Sequence, residues 1–165
     1  MREIDIKDLC KYINPMTIRE EPAIIVADDG KEMNGMTIGW VGFGALWRKY
    51  MATVYIHKVR YSKHIFDGAE YYSICFLKPG NENQVEYFGR VSGRDENKME
   101  KCGMKVISDD VAPYFEESRV VVLCRVMGKS DFNPESVDEG VYDWYQKDGV
   151  HTQYYGEIIK VLVDE

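Results

Sequence analysis

Apolar and polar positions in this chain alternate mostly with a period of two, the spacing of a half-buried strand. In "YMATVYIHKV" Ala52, Val54 and Ile56 fall on one face, and Thr53, Tyr55 and His57 on the other. "TIREEPAIIVADDG" predicts a strand ending at Asp29-Gly30, a pair that favours a hairpin. "KEMNGMTIGWVGF" continues it, with Met36 and Ile38 alternating against Thr37 and Gly39. "EYYSICFLKPG" reads as a strand closed by Pro79-Gly80, and "SRVVVLCRVMG" as one with a continuous apolar centre. "YYGEIIKVLVDE" closes the series: Tyr155, Glu157, Ile159 and Val161 alternate with Gly156, Ile158, Lys160 and Leu162.

Helical spacing is confined to short pieces. "SKHIFDGA" predicts one helix capped by Ser62 and ended by Gly68. "NENQVEYFG" predicts a helical turn, and "DENKMEKCG" a second one capped by Asp95 and ended by Gly103. "PESVDEGVYDWYQKDG" is polar and mixed, without firm boundaries. Six or seven strands with only short helices fit an antiparallel barrel, and strand periodicity leaves a sandwich open. A doubly wound sheet would need longer helices between its strands.

A length of 165 residues predicts one domain over 1–165, large enough to bury a core without a metal or disulfide staple. Cys10, Cys75, Cys102 and Cys124 form no C-x-x-C pair, and Cys75 and Cys124 read as core residues. No secretion signal or membrane-spanning run is evident, so a reducing cytoplasm is the default.

The formal charge of -7 argues against nucleic-acid binding. Its distribution matters more. Residues 33–66 hold no Asp or Glu but carry Arg48, Lys49, Lys58, Arg60 and Lys63, leaving 16 positive against 28 negative charges elsewhere. That segment either builds a local anion site or pairs with acids across the fold.

Several chemistries are missing. There is no G-x-G-x-x-G between strand and helix and no phosphate loop. The histidines, at 57, 64 and 151, have no metal-ligand spacing. "HKVRYSKH" is more suggestive: Arg60 offers a rigid fork of donors, Ser62 a hydroxyl, and the helix start free N–H groups. The bland reading is a capping serine beside a solvated arginine. In "NGMTIGW" the backbone and the Thr37 hydroxyl can present a polar edge to a flat ring, with Gly35 and Gly39 leaving room. Trp40 and Trp47 either close an aromatic pocket or fill the core, at least one of them the core. A flat heterocycle with a phosphate tail is flavin mononucleotide (FMN).

Four stretches, "NGMTIGWVGFGALW", "TVYIHKVRYSKHIF", "SGRDENK" and "HTQYYGEI", resemble in order the signatures of the flavin reductase-like, FMN-binding split-barrel family. The resemblance implies a mainly β split barrel with short peripheral helices, a homodimer, and FMN near the subunit interface. It implies that Met36 and Thr37 line the isoalloxazine, that Arg60, Tyr61 and Ser62 form the phosphate side, and that Ser92, Gly93, Arg94 and Lys98 close over the phosphate and ribityl end. Asp95, of the wrong sign for phosphate, would orient that loop. His151 would stand near the open flavin region, either as a group that hydrogen-bonds a substrate or reduced flavin and moves a proton near neutrality, or as a core or interface histidine. The implied activity is hydride transfer from NADH or NADPH to FMN and on to a flavin or another acceptor. The alternatives are an FMN electron carrier without a nicotinamide site and a barrel that binds partners without cofactor. After Trp47, relatives often have a Gly and a Pro; here Arg48-Lys49-Tyr50 follows, and the Tyr50 ring is a candidate obstruction over the flavin.

Overall fold

The computed structural model describes residues 1–164. A short β1 (Arg2–Ile4) and two 3-10 turns lead to β2 (Ala23–Asp28), β3 (Met33–Ile38), β4 (Val41–Leu46) and β5 (Lys49–His57). Helix α1 (Lys63–Gly68) precedes β6 (Tyr71–Leu77), and α2 (Glu82–Arg90) and α3 (Lys98–Lys101) follow it. A small hairpin of β7 (Val106–Ile107) and β8 (Tyr114–Phe115) leads to β9 (Ser118–Asp131), α4 (Glu139–Asp148) and β10 (His151–Val163). No helix among the described residues is long and apolar enough to cross a membrane.

The main sheet runs β3-β2-β6-β9-β10-β5-β4, all antiparallel, with β1 on the far end of β10. It curls until β3 approaches β5, but no ladder joins them, so the barrel is split there. Closure uses irregularities in β9–β10 pairing at Tyr155/Gly156 and Ile158/Lys160, where an extra residue sharpens the local twist. At the first of these a Cβ on Gly156 would overlap the Tyr72 hydroxyl, which crosses the interior to donate to the Ala52 carbonyl at 2.9 Å.

Two apolar layers flank the central strands. Ala23, Ile25 and Ala27 of β2 and Val120, Val122 and Cys124 of β9 face the barrel interior, while Ile24, Val26, Val121 and Leu123 pack beneath α2 and the β7–β8 hairpin. Burial on both faces is why these two strands read as unbroken apolar runs. On β5 the alternation is kept: Ala52, Val54 and Ile56 are fully buried, and Thr53, Tyr55 and His57 are only partly so.

Several local expectations change. The first strand starts at Ala23, after Pro22, rather than at Thr17. Eight strands, not six or seven, make the main sheet, and "NENQVEYFG" is a helix of nine residues rather than one turn. Asn97, not Asp95, caps α3, accepting from Met99 and Glu100 N–H. Ser62 stands at the start of α1 but does not cap it, because its hydroxyl faces Asn34 instead. The uncertain polar stretch folds as α4. Neither Trp40 nor Trp47 fills the core: they are 45% and 56% exposed. Trp47 and Arg48 form the β4–β5 turn with φ of 53° and 60°, a left-handed pair usually given to Asn-Gly.

Candidate functional site

A cleft of about 590 Å³ opens along the split, walled by β3, the loop after β5, the C-terminal end of α2 with the loop after it, and α4. Its position follows from the topology. As an edge strand, β3 leaves alternate N–H and C=O groups without a ladder partner. Met36 and Thr37 stand on that strand, within the cleft wall.

The nine residues expected to bind cofactor are separated by up to 62 positions, yet all of them line this cleft, as does His151. Thr37 differs in detail. Its hydroxyl donates to the Val85 carbonyl of α2, tying β3 to the helix, and only its lone pairs and backbone remain for a ligand.

One wall is cationic. Arg60 donates to the Gly89 carbonyl at 3.2 Å, Lys98 to the Phe88 carbonyl at 3.2 Å, and Arg94 to the Val59 carbonyl at 3.1 Å. Two of those carbonyls belong to the last turn of α2, where helical C=O groups lack internal partners. None of the three cations forms an ion pair with a carboxylate among the described residues. Elsewhere the basic segment is neutralised: Lys58 pairs with Asp131, Lys63 with Asp67 and Lys49 with Glu157. Within that segment Lys49, Lys58 and Lys63 follow the pairing reading, and Arg60 is left facing the cleft.

Lys98 is the least ordinary member, at 3% exposure. Burial, aided by the nearby Arg60 charge, lowers its pKa from 10.5 to about 8. Its ammonium has one carbonyl partner and the Phe88 ring centre 5.2 Å away, an arrangement in which a nearby anion would favour the charged form.

Smaller contacts fix the surrounding loops. Arg94 lies 5.6 Å from the centre of the Tyr61 ring, and the Tyr61 hydroxyl donates to Glu32 at 2.8 Å. Asn34 donates to the Ser62 hydroxyl at 3.2 Å, and the Arg94 N–H to the Ser92 hydroxyl at 3.2 Å. Each serine thus keeps its own proton to donate. A Cβ on Gly93 would overlap the Tyr61 ring and stand 2.6 Å from Asn34 Nδ2, so only glycine fits this crossing of the two loops.

The other wall is aromatic. His151 packs against both Trp40 and Trp144, with ring centres 4.5 and 5.7 Å away, and His57 meets it edge-on at 4.9 Å. Burial, then the charges of His57 and Arg60, push the His151 pKa from 6.5 down to about 4. The ring is therefore neutral at neutral pH, which favours the packed-histidine alternative over a proton-moving one. Tyr50 is not part of the cleft wall; it sits on β5 opposite Ala45, 44% exposed.

Sequence reasoning passed over Asn34, Tyr55, His57 and Trp144. The signal for Tyr55 and His57 was present in the outward face of β5. Nothing in the sequence placed Trp144, because its approach depends on how α4 folds back.

A family model described as flavin reductase like domain matches residues 17–165. Among solved structures, flavoredoxin from Methanosarcina acetivorans is 22% identical with a TM-score of 0.70, covering 88% of this chain and 69% of that one. An FMN-binding domain of a flavin reductases-like enzyme from Shewanella baltica is 14% identical, with a TM-score of 0.71 over 99% of this chain and 76% of that one. The NADH:FAD oxidoreductase of Streptomyces globisporus is 14% identical, with a TM-score of 0.69 over 99% and 88%. At these identities the likeness is one of fold. No curated protein sequence matches significantly.

Proposed function

We propose that this chain, which belongs to the flavin reductase-like domain family, binds FMN in the cleft and works as a flavin-dependent oxidoreductase. In this reading it takes hydride from NADH or NADPH and passes electrons to a flavin or another acceptor. The observation that carries the reading is Lys98, a buried cation without a carboxylate partner, beside two exposed guanidiniums, Arg60 and Arg94, that also lack one.

The residues suit FMN. Arg60, Arg94 and Lys98 would hold the phosphate, with the hydroxyl protons of Ser62 and Ser92 directed to its remaining oxygens. Gly93 lets the second loop lie close enough to the first to form one cradle. The free edge of β3 at Met36 and Thr37 would meet the polar edge of the isoalloxazine, and the aromatic wall its flat face. Bound FMN supplies the redox chemistry, and the protein supplies position and electrostatics. His151, neutral in its aromatic surroundings, would serve as a hydrogen-bonding and stacking group rather than as a proton reservoir.

An FMN electron carrier is the second reading, favoured by Trp40 and Trp144, whose rings line the cleft and, stacked on the isoalloxazine, would take the face a nicotinamide needs. In both readings the chain acts as a single domain in a reducing cytoplasm, consistent with four free cysteines. Both take it as a homodimer. Support for the dimer comes from the outer edge of β4, which has no strand neighbour and no charged residue, and from Leu46, Trp47 and Tyr50 exposed beside it.

The test is calorimetric titration with FMN and riboflavin, followed by anaerobic mixing of the FMN-loaded protein with NADH or NADPH. FMN should bind more tightly than riboflavin. Arg60→Ala should weaken FMN about 10- to 100-fold, the scale of a charge-assisted contact, and leave riboflavin almost unchanged. Saturable bleaching of the flavin by a nicotinamide supports the reductase. Bleaching by dithionite alone leaves the carrier, and failure to bind either flavin rejects both.

A further inference from the structure

Helix α4 is attached to the barrel in an unusual way. Its hydrogen bonds are its own: Asp138 caps the first turn and the Gly149 N–H closes on Tyr145. Among the described residues no hydrogen bond or ion pair ties a side chain of α4 to the barrel. What holds it is aromatic contact. Tyr145 is buried beside Phe132, with ring centres 5.9 Å apart, and Trp144 meets Trp40 at 5.4 Å and His151 at 5.7 Å.

Trp40 and Trp144 are 45% and 37% exposed, and both line the cleft. Two large rings facing water on the same wall form a surface that a flat apolar ligand would cover. His151, packed against both, is a neutral ring, and its Nδ1 is shielded from solvent without a hydrogen-bond partner. The two indoles are inclined at 55°, so a ligand that lays its planar face on Trp144, meets Trp40 at an angle and turns a polar ring edge to His151 would complete both.

We propose that Trp144 is a ligand-binding residue that selects for a planar conjugated ring. With Trp40 and His151 it forms the stacking wall of the cleft, and the ring that lies there orders α4 onto the barrel. The inference rests on the FMN reading of the same cleft, with the isoalloxazine as the ring. It divides the recognition between two walls: the cations read the phosphate, and a helix held only by stacking reads the ring. An element with few polar tethers belongs to the low-stability end of a fold, so its order should depend on what it stacks against.

The test compares the full-length protein with Trp144→Ala and Trp144→Phe, using FMN and riboflavin as ligands. Trp144→Ala should weaken both flavins by about tenfold, the upper range for an aromatic stack, and so leave the FMN-to-riboflavin affinity ratio unchanged. Trp144→Phe should recover most of the loss. Hydrogen exchange supplies the second readout: either flavin should slow exchange of the α4 amides at least fivefold, and Trp144→Ala should abolish that slowing. A merely structural tryptophan would leave the flavin-dependent slowing in place. Equal flavin affinities in wild type and Trp144→Ala, a changed affinity ratio, or α4 exchange indifferent to flavin would overturn the inference while FMN binding stands. Binding of neither flavin to the wild type would overturn the FMN reading as well.

Discussion

Replacing Lys98 with methionine separates a binding lysine from a structural one by the sign of its effect on the empty protein. The side chain is 3% exposed, and its pKa falls from 10.5 to about 8. That depression amounts to about 3 kcal/mol against the charged form. Donation to the Phe88 carbonyl, at the negative end of α2, returns about 1 kcal/mol. Methionine has similar length and no charge, so the ligand-free variant should be more stable than wild type at neutral pH, by about 1–2 kcal/mol on the scale seen for replaced buried charges. Its FMN affinity should fall about 10- to 100-fold, the loss of one charge-assisted contact, with riboflavin unaffected.

The pH dependence follows from the same shift. In the empty protein Lys98 loses its proton near pH 8, while a bound phosphate holds it charged to about its ordinary value. Wild-type FMN affinity should therefore drop about 30-fold between about pH 7 and about pH 9.5, with proton uptake measurable by calorimetry in buffers of different ionisation enthalpy. Riboflavin corrects for ionisation of the flavin ring, and Lys98→Met should show no such drop. Empty wild type should meanwhile gain stability relative to the variant as pH rises from about 8 to about 10.5, because there the unfolded chain alone keeps the proton. A destabilised variant that still binds FMN normally would refute the reasoning and make Lys98 a cap for α2.

Three further outcomes are expected. Gly156→Ala should destabilise by about 1–3 kcal/mol in urea, since the new methyl displaces the Tyr72 hydroxyl from the Ala52 carbonyl; a shift below about 0.5 kcal/mol would show that the barrel relaxes there. His151, depressed from 6.5 to about 4, should stabilise fully above about pH 6.5, and that contribution should be lost as pH falls toward 4, because the unfolded chain takes up the proton first. With the solvent screening of a half-buried ring the loss is about 1–2 kcal/mol, and the stability difference between wild type and His151→Leu should carry it; a flat difference would contradict a neutral buried ring. Sedimentation across a dilution series should show a dimer that Trp47→Glu, on the exposed hairpin tip beside β4, converts to monomer, whereas an unchanged dimer in that variant would place the interface elsewhere.

The strands were legible from the sequence because burial of one face imposes alternation locally. Ala52, Val54 and Ile56 against Thr53, Tyr55 and His57 need no tertiary information. The segments proposed as the clamp came to notice through the family resemblance they carry in order; taken alone, Arg60, Ser62 and the turn at Gly93 left a capped surface turn and an anion site both open. What stayed hidden depends on partners distant in the chain. Ser62 looked like a cap until Asn34 was placed 3.2 Å away, and Lys58 and Arg60 looked alike until Asp131 reached only one of them. Lys98 was singled out by the family motif, but its burial was not legible, and only the packing around α2 and α3 makes its charge costly. The tryptophans show the limit most clearly. A sequence gives an aromatic ring no address, and either a core or a pocket can use one. The curl of the sheet and the return of α4 bring Trp144 to Trp40 and His151, because a long-range contact is fixed by chain topology and not by the residues on either side of it.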